Sequence, residues 1–123
     1  MTEELVTLET AKMLKEKGFN EPCMIAMNIE DGRQYGTNRT NSELPIKVCS
    51  HPTQSVAQKW LRETKNIHIC IYNCACGYGY EISKADNGTH ITSSVYEGTN
   101  DGSKWDIYEE ALEAGLQEAL KLI

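Results

Sequence analysis

Six side chains could hold a metal or activate a thiol: Cys49 and His51, then His68, Cys70, Cys74 and Cys76. Thiolate and imidazole are the ligands that a tetrahedral zinc site needs. On an extended strand His68 and Cys70 project to one side, and Cys74 and Cys76 in the following turn could fold back towards them. The spacing argues against zinc. Ribbons and knuckles wrap the chain around one ion with Cys-x₂-Cys, and Cys74-x-Cys76 does not supply that. The plainer reading makes Cys70 a small filler in a sheet and His68 a half-exposed strand residue. No metal or cofactor is expected.

A thiol nucleophile is the second chemistry, with Cys49 beside His51 or with Cys74 in its turn. Cys49 lies shortly before a helix start, which lowers a thiol pKa. A working site also needs a positioned base and a third group to orient it, and the sequence argues for neither. Gly77-Tyr78-Gly79 and Gly98 to Gly102 fit no phosphate-binding pattern. Tyr72, Tyr78, Tyr80 and Tyr96 on strands resemble a base-stacking sheet, but cross-strand tyrosines also stabilise a sheet by themselves. Lys59, Arg62 and Lys65 make a modest basic stripe, and Lys84 is the only Lys or Arg between Lys65 and Lys104. Glu109, Glu110, Glu113 and Glu118 read as a solvated helix face rather than paired catalytic acids. Trp60 reads as core, Trp105 as an anchor or an exposed partner contact. Catalytic residues are therefore not assigned.

These side chains depend on the elements that carry them. Thr7 is a suitable N-cap for a helix over residues 7–17, with Leu8, Ala11 and Leu14 on one side and Gly18 at its end. Cys23, Ile25, Met27 and Ile29 alternate as a strand does, and Asp31-Gly32 is the dipeptide of a two-residue hairpin turn leading to a short return strand near Gln34–Thr37. Residues 38–43 read as a loop, and Leu44, Ile46 and Val48 as a short strand broken by Pro45. A second helix opens at Pro52-Thr53, with Val56, Ala57, Trp60, Leu61 and Thr64 on one face. Three strands follow, around Ile67–Tyr72, Tyr78–Ile82 and Ile91–Glu97, the last two joined by a turn at Asp86-Asn87-Gly88. Asp106 with Glu109 predicts a capping box for the last helix, whose apolar face is Tyr108, Leu112, Leu116, Ala119 and Leu120. The order predicts one α+β domain over residues 1–123: an antiparallel sheet of five to six strands covered by three helices.

Composition agrees with that class. The chain has 123 residues, 18 acidic and 12 basic, with 40% apolar side chains, enough for one core without staples. Residues 1–65 balance nine basic against nine acidic side chains, whereas residues 66–123 hold three against nine. That balance disfavours nucleic acid, whose affinity comes from neutralised phosphates. The longest stretch without Asp, Glu, Lys or Arg, Asn66 to Tyr80, is too interrupted to span a membrane. Acids near Met1 do not suit a secretory signal, so a cytoplasmic protein is expected. Five cysteines cannot all pair within one chain, and thiols are the expected state.

Three phrases carry a resemblance: Leu8-Glu9-Thr10-Ala11-Lys12 through Lys17-Gly18-Phe19, Pro52-Thr53-Gln54 through Trp60-Leu61-Arg62-Glu63, and Tyr108-Glu109-Glu110-Ala111-Leu112 through Leu120. In that order, with Asn41-Ser42-Glu43-Leu44-Pro45, they resemble a family of short proteins of Bacteroides-type gut bacteria, their prophages and mobile elements. The resemblance implies a mobile-element accessory protein and brings no established activity with it. The expected function is a non-enzymatic protein-interaction domain. The alternatives are a metal-binding or thiol-dependent protein using His68, Cys70, Cys74 and Cys76, and a weak nucleic-acid binder using the second helix.

Overall fold

In the computed structural model, which describes residues 4–75, 77–94 and 105–123, three helices and six antiparallel strands make an α+β fold. The order is helix, strands, helix, strands, helix, as the sequence predicts. The strands are distributed over two three-stranded sheets, and the chain divides into two compact units, Met1–Ala57 and Gln58–Ile123.

In the first unit α1 covers Leu8–Glu16. The Thr7 hydroxyl accepts from the Thr10 N–H at 3.3 Å, satisfying one of the free donors of the first turn. Gly18 at φ 95° turns the chain out, and Phe19 N–H donates back to the Leu14 carbonyl. Thr10, Ala11 and Leu14 are the buried side. The sheet has the order β2-β1-β3, with β1 at Ile25–Asn28, β2 at Gln34–Gly36 and β3 at Val48–Ser50.

Two boundaries differ from the sequence reading. The hairpin ladder ends where Asn28 N–H donates to Arg33 O, so four residues rather than two make the turn. The Asn28 side-chain carbonyl accepts the Glu30 and Asp31 N–H groups inside it. Leu44 and Ile46 are not in a strand. Val48 N–H closes a turn on the Pro45 carbonyl, and the Lys15 ammonium binds the carbonyls of Pro45 and Val48, so pairing with β1 begins only at Val48. Residues 38–43, read as a loop, contain a short 3₁₀ turn at Asn41–Glu43.

Polar side chains close the outer edge of β3. Buried Asn41 donates from Nδ2 to the Phe19 carbonyl at 2.7 Å and accepts the Ser50 N–H on Oδ1 at 2.8 Å. Beyond it, Val6 N–H donates to the Pro52 carbonyl and Gln54 N–H to the Glu4 carbonyl. The N-terminal segment therefore lies as an extra strand-like ribbon against residues 52–54.

The second helix, α2 (Gln54–Thr64), carries the boundary between the units. The Thr53 hydroxyl accepts the Val56 N–H, in keeping with the expected cap. Ala57, Trp60 and Leu61 are buried, but Val56 and Thr64, expected on the same stripe, are exposed.

The second unit is a sheet of order β4-β5-β6, with β4 at Ile67–Cys74, β5 at Gly77–Lys84 and β6 at His90–Ser93, and helix α3 (Tyr108–Lys121) packed on β4 and β5. Register places Ile69 opposite Ile82 and Ile71 opposite Tyr80. Ile69, Tyr80 and Ile82 are buried, as are Leu112, Leu116, Ala119 and Leu120 of α3. Gly115 allows the close approach: a Cβ there would sit 2.9 Å from Ile69 Cγ2. The predicted Asp106 capping box does not form. Trp105 pairs its backbone with Tyr78, which holds the following residues extended, and the helix starts from Ile107 with no side-chain cap. Tyr108 is exposed rather than part of the apolar face. Of the strand expected over Ile91–Glu97, residues 95–97 lie outside the described residues.

Candidate functional site

β3 runs directly into His51, whose N–H extends the ladder to the Ile25 carbonyl. Its ring is buried, and both nitrogens are engaged. Nε2–H donates to the Val6 carbonyl, and Nδ1 accepts from Gln34 Nε2 at 3.1 Å. A carbonyl only accepts, so a proton on Nε2 faces Val6 while Nδ1 takes the Gln34 amide. Cys49, two residues earlier, is fully buried, and burial pushes its thiol up against the opposing charges of Lys15 and Lys12. The pair is close in sequence, yet the imidazole is spent on Val6 and Gln34, and the thiol sits where its thiolate is disfavoured.

A different cysteine meets open space. Cys23 and His51 both line a depression of about 290 Å³ in the first unit. Its walls are mainly apolar: Leu5, Pro22, Met24, Ile25, Pro52 and Val56 surround these two and Thr53. Met24 is 86% exposed and Val56 39%. Burial raises the Cys23 thiol, the Ser50 hydroxyl works the other way, and the Glu21 carboxylate adds to the rise. The chemistry of this hollow is that of apolar contact, with an acidic residue beside it. Sequence reasoning missed it because its wall comes from four separate stretches, and reading the strand at Cys23 and Ile25 and the helix start at Pro52-Thr53 does not show that they meet.

In the second unit the strand alternation places His68, Cys70 and Tyr72 on the face of β4 opposite to α3. Their register partners are Ser83, Glu81 and Gly79. Cys70 and Glu81 are exposed, and Glu81 reaches His90 on β6 at 4.0 Å. His68 and Cys70 thus share a face as expected, and Glu81 and His90, which the sequence did not single out, join them by register. Cys74 ends β4 opposite Gly77 rather than sitting in the turn, and Cys76 lies outside the described residues. Among the described residues no three of His, Cys, Asp and Glu gather closely enough to hold a metal ion.

The tyrosines do not form one stacking platform. Tyr72 lies on the face away from α3, across Gly79, while Tyr80 is buried on the other side and Tyr78 stands edge-on to Tyr108 at 5.9 Å. Tyr96 and Gly98 to Gly102 lie outside the described residues. Trp105 is an anchor rather than an exposed contact: its ring lies 5.7 Å from that of Tyr80, and its backbone bonds Tyr78. On α2, Lys59 approaches Glu63 and the Lys65 ammonium lies over the Trp60 ring, so intramolecular partners already engage much of the basic stripe. No described helix is long and apolar enough to cross a membrane. Compared with protein-family models, curated proteins and solved structures, the chain matches none.

Proposed function

We propose that this chain is a non-enzymatic interaction domain that grips a protein partner in the apolar depression of its first unit. The observation that carries the reading is the hollow itself, with Met24 and Val56 held out to solvent on its walls. Apolar side chains left exposed around a concavity recover hydrophobic free energy only when something covers them. The partner is a segment with an apolar anchor flanked by Lys or Arg, because exposed Glu21 adjoins Pro22 and Cys23, and exposed Glu4 precedes Leu5. The role as an accessory protein of a phage or mobile element rests on the three helical phrases described above, and the cytoplasmic setting on the acidic N-terminal residues. Nucleic acid fits less well, given the net charge of −6 and the engaged lysines of α2.

Peptide display on the full chain tests this. Recovered peptides carry an apolar residue beside a Lys or Arg and shift the amide resonances of Met24, Ile25 and Val56. Met24→Glu, which keeps the native circular dichroism, weakens them about tenfold or more. Failure to enrich any peptide, or shifts confined to other residues, overturns the proposal.

A further inference from the structure

The two sheets differ in how their edges end, and the outer edge of β4 carries backbone groups that no described residue bonds. Tyr78 exchanges both backbone bonds with Trp105, N–H to O at 2.7 Å and the return at 3.3 Å, and Tyr80 N–H donates to Ser94 Oγ at 3.0 Å. Both residues therefore turn their backbone groups away from β4. In an antiparallel ladder a residue and its register partner turn the same way relative to their shared boundary. Asn73 and Ile71, the partners of Tyr78 and Tyr80, must then point outward from β4. Ile69 points the same way, and its carbonyl accepts from Gln58 Nε2 at 2.8 Å. Among the described residues no hydrogen bond reaches the outward groups of Ile71 and Asn73.

Natural edge strands carry charges, prolines or bulges that discourage pairing. β4, Ile-His-Ile-Cys-Ile-Tyr-Asn-Cys, has no proline and no Asp, Glu, Lys or Arg. Its register with β5 runs unbroken from Ile67 to Cys74, and the bulge of this sheet lies instead between β5 and β6.

We propose that the outer edge of β4 pairs antiparallel with β4 of a second copy of this chain, about a two-fold axis at Tyr72. In that register Ile71 exchanges both bonds with Asn73 of the partner subunit, the reverse pair does the same, and Gln58 keeps its place at Ile69. The occupant follows from the charge pattern. A strand paired with itself about a two-fold sets its side chains close to their own mates, so any charge on it meets its like. A charge-free strand suits that arrangement, whereas selection of a foreign strand draws on complementary charges that β4 does not offer. The proposal concerns a surface apart from the apolar depression and stands independently of it.

Sedimentation across protein concentration, with hydrogen exchange resolved by residue, tests it on the full chain. Dimer forms as concentration rises, and the amides of Ile71 and Asn73 slow in step with it. Asn73→Pro removes an outward donor and no bond of the β4–β5 ladder, and it weakens dimerisation about tenfold to a hundredfold. Asn73→Lys, which keeps its backbone donor, weakens it less and in a salt-dependent way. A monomer at all concentrations up to about 1 mM overturns the proposal. A dimer that leaves the Ile71 and Asn73 amides fast, or that survives both substitutions at full strength, overturns it equally.

Discussion

In the first unit the strands are three or four residues long, and the groups tying them together are polar: Asn41 bridging Phe19 to Ser50, Lys15 on two carbonyls, His51 between Val6 and Gln34. In the second, β4 and β5 run for eight residues each, and a fourteen-residue helix buries five apolar side chains, Ala111, Leu112, Leu116, Ala119 and Leu120. The same α+β vocabulary is thus stabilised in two ways. Short strands give few ladder bonds, so side chains must finish the hydrogen bonding that backbone pairing leaves open. Eight-residue strands bond each other along their whole shared boundary, so stability there draws chiefly on burial.

Leu116→Ala in α3 is the severest test of the second half of that comparison. The side chain is fully buried, and truncation costs about 3 kcal/mol in urea unfolding, transfer and cavity together. A cost below about 1 kcal/mol would mean that the helix is loosely packed after all. Asn41→Ala tests the first half. It leaves a buried carbonyl and a buried N–H without partners, for an expected loss of about 2 kcal/mol. Exchange protection should drop first at Ser50 and at neighbouring amides of β1 and β3. A neutral Asn41→Ala would break the comparison outright.

The same contrast governs what could be read from the sequence. Helix α1 was legible from Thr7 to Gly18 because its cap, its stripe and its stop are all local. Ile67, Ile69 and Ile71 announced β4 by simple alternation. The start of β3 was not legible, because a turn closed from Val48 N–H to the Pro45 carbonyl, with Lys15 of a different element bound to that same carbonyl, bends the chain before Val48. Asp106 has every local mark of a cap and is overruled by the pairing of its neighbour Trp105 with Tyr78. His51 shows the limit most plainly. Its nearness to Cys49 in sequence suggests a catalytic pair, but its partners come from residues 6 and 34. The apolar depression and the Glu81–His90 approach were illegible for the same reason: register and long-range packing create them.

Smaller effects sharpen the picture. A Cβ on Gly79 would fall 2.5 Å from the ring end of Tyr72 and 2.7 Å from Ser94 Oγ. The tyrosine can swing outward, so Gly79→Ala costs about 1 kcal/mol, roughly the hydrogen bond between Tyr72 and Ser94. A loss several times larger would show that the tyrosine is locked rather than laid over the glycine. The thiols of the first unit give a pH dependence. Burial raises Cys23 and Cys49 above the usual 9.0, so the unfolded chain gives up these protons first. Their contribution is intact below the unfolded thiol pKa and declines as pH rises through the folded values. Cys23→Ser with Cys49→Ala therefore flattens the alkaline loss of stability. An unchanged slope in the double variant would remove the thiols from that account. At the bottom of the scale, a chelator is expected to leave the melting temperature unchanged. A fall on chelation would give the open face of β4–β6 a bound ion that its described geometry does not call for.

Trp105 and Ser94 have one further consequence. The chain leaves the second sheet after Ser94, bonded to Tyr80, and rejoins it at Trp105, bonded to Tyr78, two residues along the same strand. Both bonds lie on the outer boundary of β5, so two stretches of chain, one ending at Ser94 and one beginning at Trp105, are fastened to alternate residues of a single strand. Loosening either is felt at the buried ring of Tyr80 and, through it, beneath Gly115 of α3.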